Sequence, residues 1–240
     1  MKRNISNIRI IITLGIALLA SSTILAQDDV KPGITKAQHL SDLEALKIKR
    51  DSTHAALKQM ELPALVEQMN KDSRTREHFN SSAYREVVNN RKSESQALFE
   101  IIKEQQKVAY IPLMALRKIN KEAYEETDVQ LRLNALADAF RETIVYNRWG
   151  IPHLYWQAPA KSMIELGGDA EKTLKSFLSD ESPCAIMGYE EELEMEAYKY
   201  RRCDYALAMI MEIRDQNVKE IPKDPAGRDK MIEEILAEEE

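Results

Sequence analysis

Glycine is scarce in this chain, and so is any excess of positive charge. Seven glycines in 240 residues, against a background rich in Leu, Ala, Glu, Lys, Met and Gln, favour helices. Unbranched side chains lose little rotamer freedom in a helix, whereas glycine loses much backbone freedom. No window alternates apolar and polar residues as a half-buried strand requires, so an all-α fold is expected. A formal charge of −6 leaves no concentrated basic face, and nucleic-acid binding is not expected. The four histidines, His39, His54, His78 and His153, are scattered. None has the i, i+4 spacing that puts two imidazoles on one helical face, so no metal centre is expected. There is no Gly-x-Ser-x-Gly elbow and no glycine-rich phosphate loop, and no cofactor is expected.

What the chain does have begins at its N-terminus. Lys2, Arg3 and Arg9 precede an apolar run from Ile10 to Ala20, followed by Ser21-Ser22-Thr23-Ile24-Leu25-Ala26-Gln27. A positive n-region, an apolar h-region and small residues at the exit form a secretory signal peptide. Residues 1–26 are therefore read as a signal peptide cleaved after Ala26, with Ser22 as a second site, and the mature protein as periplasmic or secreted. The alternative is a membrane anchor formed by residues 10–27, an uncharged run that almost reaches the length of a span. The membrane would then be met through this segment only.

Residues 27–40 read as a polar linker, with Pro32-Gly33 as a turn signal. Residues 41–80 read as peripheral N-terminal helices. The first starts at a capping box, Ser41 to Glu44, and has sparse apolar positions at Leu43, Leu46 and Leu57. The second carries Pro63 in its first turn, where the missing amide costs nothing, with Leu65, Val66 and Met69 inward. The main domain spans 81–220. It opens with a short helix, Ala83 to Val88, stopped by Asn89-Asn90 in a left-handed C-cap. A second capping box, Ser93 to Gln96, precedes a helix with Ala97, Leu98, Ile101 and Ile102 on one face. Ile111-Pro112 starts a helix with Leu113, Leu116 and Ile119 inward. Thr127 and Asp128 cap a longer helix whose stripe is Val129, Leu133, Leu136, Phe140 and Ile144, with Gly150 as its stop. Residues 221–240 form an acidic C-terminal segment. Its closing run Glu238-Glu239-Glu240, like Glu190-Glu191-Glu192, reads as a solvated face.

Two stretches share an order of elements. Residues 83–119 run short helix, Asn-Asn stop, helix with Leu98, Ile101 and Ile102, third helix. Residues 160–213 run short helix, Gly167-Gly168 stop, helix with Leu174, Phe177 and Leu178, third helix. This is an imperfect internal repeat. The segment Ala160 to Asp180, with Leu166-Gly167, then Leu174-Lys175-Ser176-Phe177-Leu178, then Asp180, resembles one helical hairpin of the HEAT-like repeat family. Residues 83–105 resemble it more loosely, with Asn89-Asn90 in place of Leu-Gly. The resemblance implies helical hairpins stacked as a short α-solenoid, presenting a surface to a partner and carrying no reaction.

The convergent polar and aromatic groups lie between Asn147 and Arg214. Arg148, Trp149, His153, Tyr155 and Trp156 form an aromatic-plus-arginine run of the kind enriched at binding hot spots. The same rings have a second fate, to plug the gap between hairpins as core. Pro152 and Pro159 keep this stretch out of regular helix. His153 has no partner base or nucleophile, so a packed role is expected of it and no catalytic residue is assigned. Arg202 falls on the stripe Met195, Tyr198, Arg202, Ala206, Met209, Ile213, and a buried arginine needs a carboxylate. Asp204, or a glutamate of another helix, is the expected partner in a structural ion pair. Cys184 and Cys203 either close a disulfide in an oxidising compartment or remain small buried thiols. The expected function is partner-protein binding or scaffolding in the bacterial envelope. The alternative is an enzyme processing an envelope polymer in a cleft lined by Trp149–Trp156. Mass spectrometry of the exported protein should find a new N-terminus at Gln27 or Thr23; intact Met1 in the membrane fraction would convert the signal peptide into an anchor.

Overall fold

The computed structural model describes residues 36–72, 81–188, 193 and 196–238. The signal segment, the Pro32-Gly33 turn, His78, Glu190–Glu192, Met195 and Glu239-Glu240 lie outside the described residues. Among the described residues the regular structure is helical apart from one two-stranded ribbon and two isolated β-bridges. No described helix is long and apolar enough to cross a membrane.

The chain divides into two compact units between Ala56 and Leu57. Helix α1, Lys36–Gln59, supplies the described part of the first. It is already helical before Ser41, so the Ser41–Glu44 box lies inside the helix and caps nothing. Leu40, Leu43, Leu46 and Ile48 are all exposed, as the sparse apolar pattern predicts.

The second unit holds one continuous core. Helix α2, Leu62–Asp72, buries Leu65, Val66 and Met69. It packs on α3, Ser82–Asn90, α4, Ser95–Lys103, and α5, Tyr110–Ile119, so this element belongs with the main body and not with α1. Ser81 caps α3 by accepting the Tyr84 amide at 3.1 Å. The expected left-handed Asn-Asn stop is not formed, because neither asparagine has a positive φ. Arg91 ends α3 instead. Its guanidinium donates to the carbonyls of Lys58 and Met60 at 2.9 and 3.1 Å and faces Glu86 and Glu94. A 3-10 turn at Lys92–Glu94 then runs straight into α4 with no side-chain cap, so the Ser93–Gln96 box is also absent. Every residue from Tyr110 to Leu116 on α5 is buried.

Helix α6, Lys121–Glu126, is capped by Asn120, and α7, Val129–Glu142, by Asp128, which accepts the Leu131 amide at 2.8 Å. Leu133, Leu136 and Phe140 are buried, whereas Val129 and Ile144 at the ends of the expected stripe are exposed. Helices α8, Ala158–Glu165, and α9, Gly168–Lys175, are separated by Gly167 at φ 60. That is the Leu-Gly stop expected there, and Leu174, Phe177 and Leu178 are buried behind it. Helix α10, Arg202–Ile213, buries all of Cys203 to Met211, and α11, Pro225–Ala237, packs on it. In both of the stretches that share an order of elements the third helix packs on the first two: α5 lies on α3 and α4, and α10 lies on α8 and α9.

One buried ion pair fixes α11. The side chains of Asp204 and Arg228 have no exposed surface and meet at 2.9 Å. Arg228 also donates to the carbonyls of Pro222, Lys223 and Tyr198, while Arg201 grips Asp204 from the other side at 3.0 Å. Breaking a buried pair by removing one partner typically costs about 3–5 kcal/mol. Asp204→Asn, which leaves two guanidiniums facing each other, should lose that much in urea unfolding. Arg228→Met should lose less, because Asp204 keeps Arg201; equal losses would mean that Arg201 contributes nothing to holding the carboxylate.

Candidate functional site

The aromatic run becomes a β-ribbon because the helix before it ends early. Helix α7 stops at Glu142, eight residues before the expected glycine. Thr143 turns the chain there, its hydroxyl donating to the Ala139 carbonyl at 2.7 Å and accepting the Trp149 indole N–H at 2.9 Å. A 3-10 turn, Tyr146–Arg148, leads into β1, Gly150–Ile151, which pairs antiparallel with β2, Tyr155–Trp156, in the register Gly150 to Trp156 and Ile151 to Tyr155. Gly150 does not stop a helix; it permits the ribbon. At φ 103 an added Cβ would lie 2.2 Å from the Tyr155 carbonyl oxygen. Two-residue strands are too short for alternation to reveal them.

The five residues of the run part company here. Trp149 is core: it is 2 % exposed and meets the Phe140 ring edge-on at 4.9 Å. Arg148 is half-buried and lies outside the groove described next. His153 occupies the ribbon's turn at φ 74 and meets the Tyr198 ring at 4.7 Å with a 39° tilt, and Tyr198 in turn stacks on Tyr200 at 5.0 Å. Trp156 is half-buried, and its indole N–H donates to Glu212 at 3.0 Å. Leu154 and Tyr155 point into solvent. Residues His153 to Trp156 make one wall of a groove of about 250 Å³, whose other wall is Glu212 and Gln216 to Lys219. The second wall was invisible to sequence reasoning, since it lies 56 residues from Trp156 and carries no motif.

A second cleft, of about 420 Å³, lies between Asn70, the turn Lys107–Tyr110 and the α7 residues Ala135, Asp138, Ala139 and Glu142. Lys107, Asp138 and Asn70 are engaged within the fold. Lys107 pairs with Asp138 at 2.9 Å, holding that carboxyl below the usual range, and Asn70 accepts the Ala109 amide. Although larger, it presents no exposed ring, and the ribbon groove is the better candidate for contact with a partner.

Arg202 and Asp204 do not pair with each other. The stripe that placed Arg202 assumed one continuous helix, but Lys199 sits at φ 49 and α10 begins only at Arg202. Asp204 therefore stands in the first turn, accepts the Arg201 amide at 2.8 Å and binds Arg201 and Arg228. Arg202 turns the other way, to Asp180 and to the Tyr146 hydroxyl at 2.7 Å. The two cysteines are free, buried thiols. Pro183 opposes Arg201 in an antiparallel bridge and the Cys184 amide donates to Tyr200, so the residue facing Cys184 is Tyr200 and not Cys203. Burial pushes the Cys203 thiol up to about 12. It raises Cys184 as well, against the opposing pull of Tyr146 and Arg202. Both thiols are protonated at neutral pH.

Among the described residues no group of three or more His, Cys, Asp or Glu side chains could hold a metal ion. Comparison with protein families, with curated proteins and with solved structures finds no match to this chain. The two tryptophans should separate cleanly in urea unfolding. Trp149→Ala should cost about 3–5 kcal/mol, as large-to-small changes of buried aromatics do, and Trp156→Ala less than half of that, because its ring already meets solvent. Equal costs would place Trp156 in the core.

Proposed function

We propose that the chain is an exported helical-repeat protein of the bacterial envelope that works by binding a partner protein, with the ribbon tip and its groove as the contact surface. The N-terminal charge and hydropathy pattern supports export. The HEAT-like segment Ala160 to Asp180, and the packing of the third helix on the first two in α3–α5 and in α8–α10, support the stacked-hairpin reading. The observation that carries the binding assignment is the exposure of Leu154 and Tyr155, at 54 % and 38 %, beside half-buried Trp156. Rings and an aliphatic side chain displayed together on a turn anchored by core Trp149 have the composition of an interface centre.

The polymer-processing alternative is the weaker of the two. Hydrolysis of a glycan calls for two carboxylates across the scissile bond. The described groove lining supplies Glu212 alone, and that carboxylate is engaged by the Trp156 indole. The contact reading is tested with the double variant Leu154→Ala, Tyr155→Ala, used with wild type to capture proteins from a native envelope fraction. Surface changes of this kind alter stability by about 0.5 kcal/mol or less, so melting should be unchanged. Capture of the protein held by wild type should fall about tenfold or more. A stable double variant that captures the same protein at the wild-type level removes the ribbon from the interface.

A further inference from the structure

Helix α1, at 24 residues the longest described helix, is the one with least to hold it. Every residue from Leu40 to Ala56 is exposed. Helices in proteins owe most of their stability to the packing of an apolar face and little to propensity. Local support is thin here. No acidic residue lies in the first turn of α1 to meet the positive end of the helix dipole. Its ion pair among the described residues, Arg50 with Asp51 at 3.7 Å, joins adjacent positions, whereas pairs three or four apart brace a helix. Glu44, Lys47 and Lys49 make no ion pair among the described residues.

An apolar face is nevertheless present. At 3.6 residues per turn, Leu40, Leu43 and Leu46 fall within about 120° of one side, and they are 56 %, 48 % and 62 % exposed. Charge is divided along the same helix. From Leu40 to Leu46 the charged residues are Asp42 and Glu44; the next four residues hold Lys47, Lys49 and Arg50. A partner covering the leucines must offer apolar side chains, with basic charge near Asp42 and acidic charge near Lys49. A second α1 running the opposite way meets all three demands.

We propose that α1 pairs antiparallel with α1 of a second copy of this chain, forming a two-fold symmetric dimer. Leu43 of each copy packs against Leu46 of the other. In such a pair the residue one before Leu43 faces the residue three after Leu46, which sets Asp42 against Lys49. The residue three before Leu43 faces the one after Leu46, so the apolar stem of Lys47 covers Leu40. The two-fold axis makes each contact twice. A parallel pair fits worse. Arg50, the next inward position after Leu46, would then meet its own copy, and basic half would lie on basic half at close range. The surface is separate from the ribbon, and neither assignment depends on the other.

Sedimentation velocity of the purified protein over a range of concentrations tests the pairing. Wild type should pass from monomer to dimer as concentration rises. The double variant Leu43→Asp, Leu46→Asp should remain monomeric, with the melting of the main body unchanged because all the altered positions are exposed. Asp42→Lys alone, or Lys49→Asp alone, should weaken the dimer about tenfold, since two attractive pairs become two repulsive ones. Combining them should restore the wild-type dissociation constant with the signs exchanged. Rescue of Asp42→Lys by Lys47→Asp and not by Lys49→Asp would mean parallel helices and overturn the arrangement. Dimers that survive Leu43→Asp, Leu46→Asp would place the interface elsewhere. A wild-type monomer at every concentration up to about 1 mM overturns the proposal outright; binding of that monomer to vesicles of anionic phospholipid, lost in the leucine double variant, would assign the face to a membrane surface instead.

Discussion

The carboxylate of Asp204 is the point on which the C-terminal half of the main body depends. It lies in the first turn of α10 with no exposed surface, accepts from the Arg201 amide and from two nitrogens of the Arg201 side chain, and forms an ion pair with Arg228 at 2.9 Å. One group thereby starts a helix, ends the connection before it and pins the next helix. Arg228, equally buried, spends its remaining donors on the carbonyls of Pro222, Lys223 and Tyr198, so loop backbone on both sides of α10 is ordered by the same guanidinium. A buried pair of this kind adds little net stability over an apolar pair of equal volume. Its effect is to exclude other registers, because any slip of α11 along α10 would strand a charge in the core.

From that first turn the order passes to the ribbon. Arg202, one residue before Cys203, faces away from Asp204 and holds Asp180 and the Tyr146 hydroxyl. Burial raises the Asp180 carboxyl, but bonds from Ser182 and Arg202 outweigh it and keep the group ionised. The strand-like residues 182–187 are clipped between two neighbours: Cys184 and Arg202 bond across to Tyr200 and Ser182, and Tyr146 donates to Ala185. Asn147 closes the edge with a paired contact to Met187, 2.7 Å in each direction. Further along α10, Tyr205 donates to the Gly150 carbonyl at 3.0 Å and Glu212 accepts from Trp156. Successive faces of a single apolar helix therefore place both ends of the ribbon, which is why the aromatic run is rigid at Trp149 and open at Tyr155.

Helix content and the inward faces were legible because apolar residues recur at three and four in α2, α4, α5 and α7, and that spacing survives any detail of packing. The Leu166-Gly167 stop was legible for the same reason, since only glycine takes φ 60 without strain. The ends of helices were not. Asn89-Asn90, Ser93 and Gly150 carry good local signals, yet each was overruled by a distant partner: Arg91 reaching back to the carbonyls of Lys58 and Met60, and Thr143 taking the Trp149 indole. The same limit applies to Arg202 and Asp204. Periodicity placed only Arg202 inward, where it is half-buried, and the partners of both follow from a break at Lys199 that no residue type announces. Half of the ribbon groove was legible, because its rings are adjacent in sequence; the wall from Glu212 to Lys219 is assembled only by the fold.

Backbone strain among the described residues gathers near the ribbon. Among the described residues, the non-glycine positions with positive φ are His153, Lys199 and Asp215, and each borders the ribbon or its groove. His153 forms the turn and lines the groove. Lys199 separates Tyr198, whose ring His153 meets at 4.7 Å, from Tyr200. Asp215 reverses the chain after α10, where the Gln216 amide returns to the Met211 carbonyl at 2.8 Å and brings Gln216 and Asn217 to face Trp156. Each left-handed residue of this kind costs on the order of 1–3 kcal/mol and persists only when its surroundings impose it. A connection needed only to join helices could have used glycine at these points. His153 lines the groove, Asp215 adjoins its second wall and Lys199 adjoins the Tyr198 ring that His153 meets, whereas no described non-glycine residue of α2 to α7 has a positive φ.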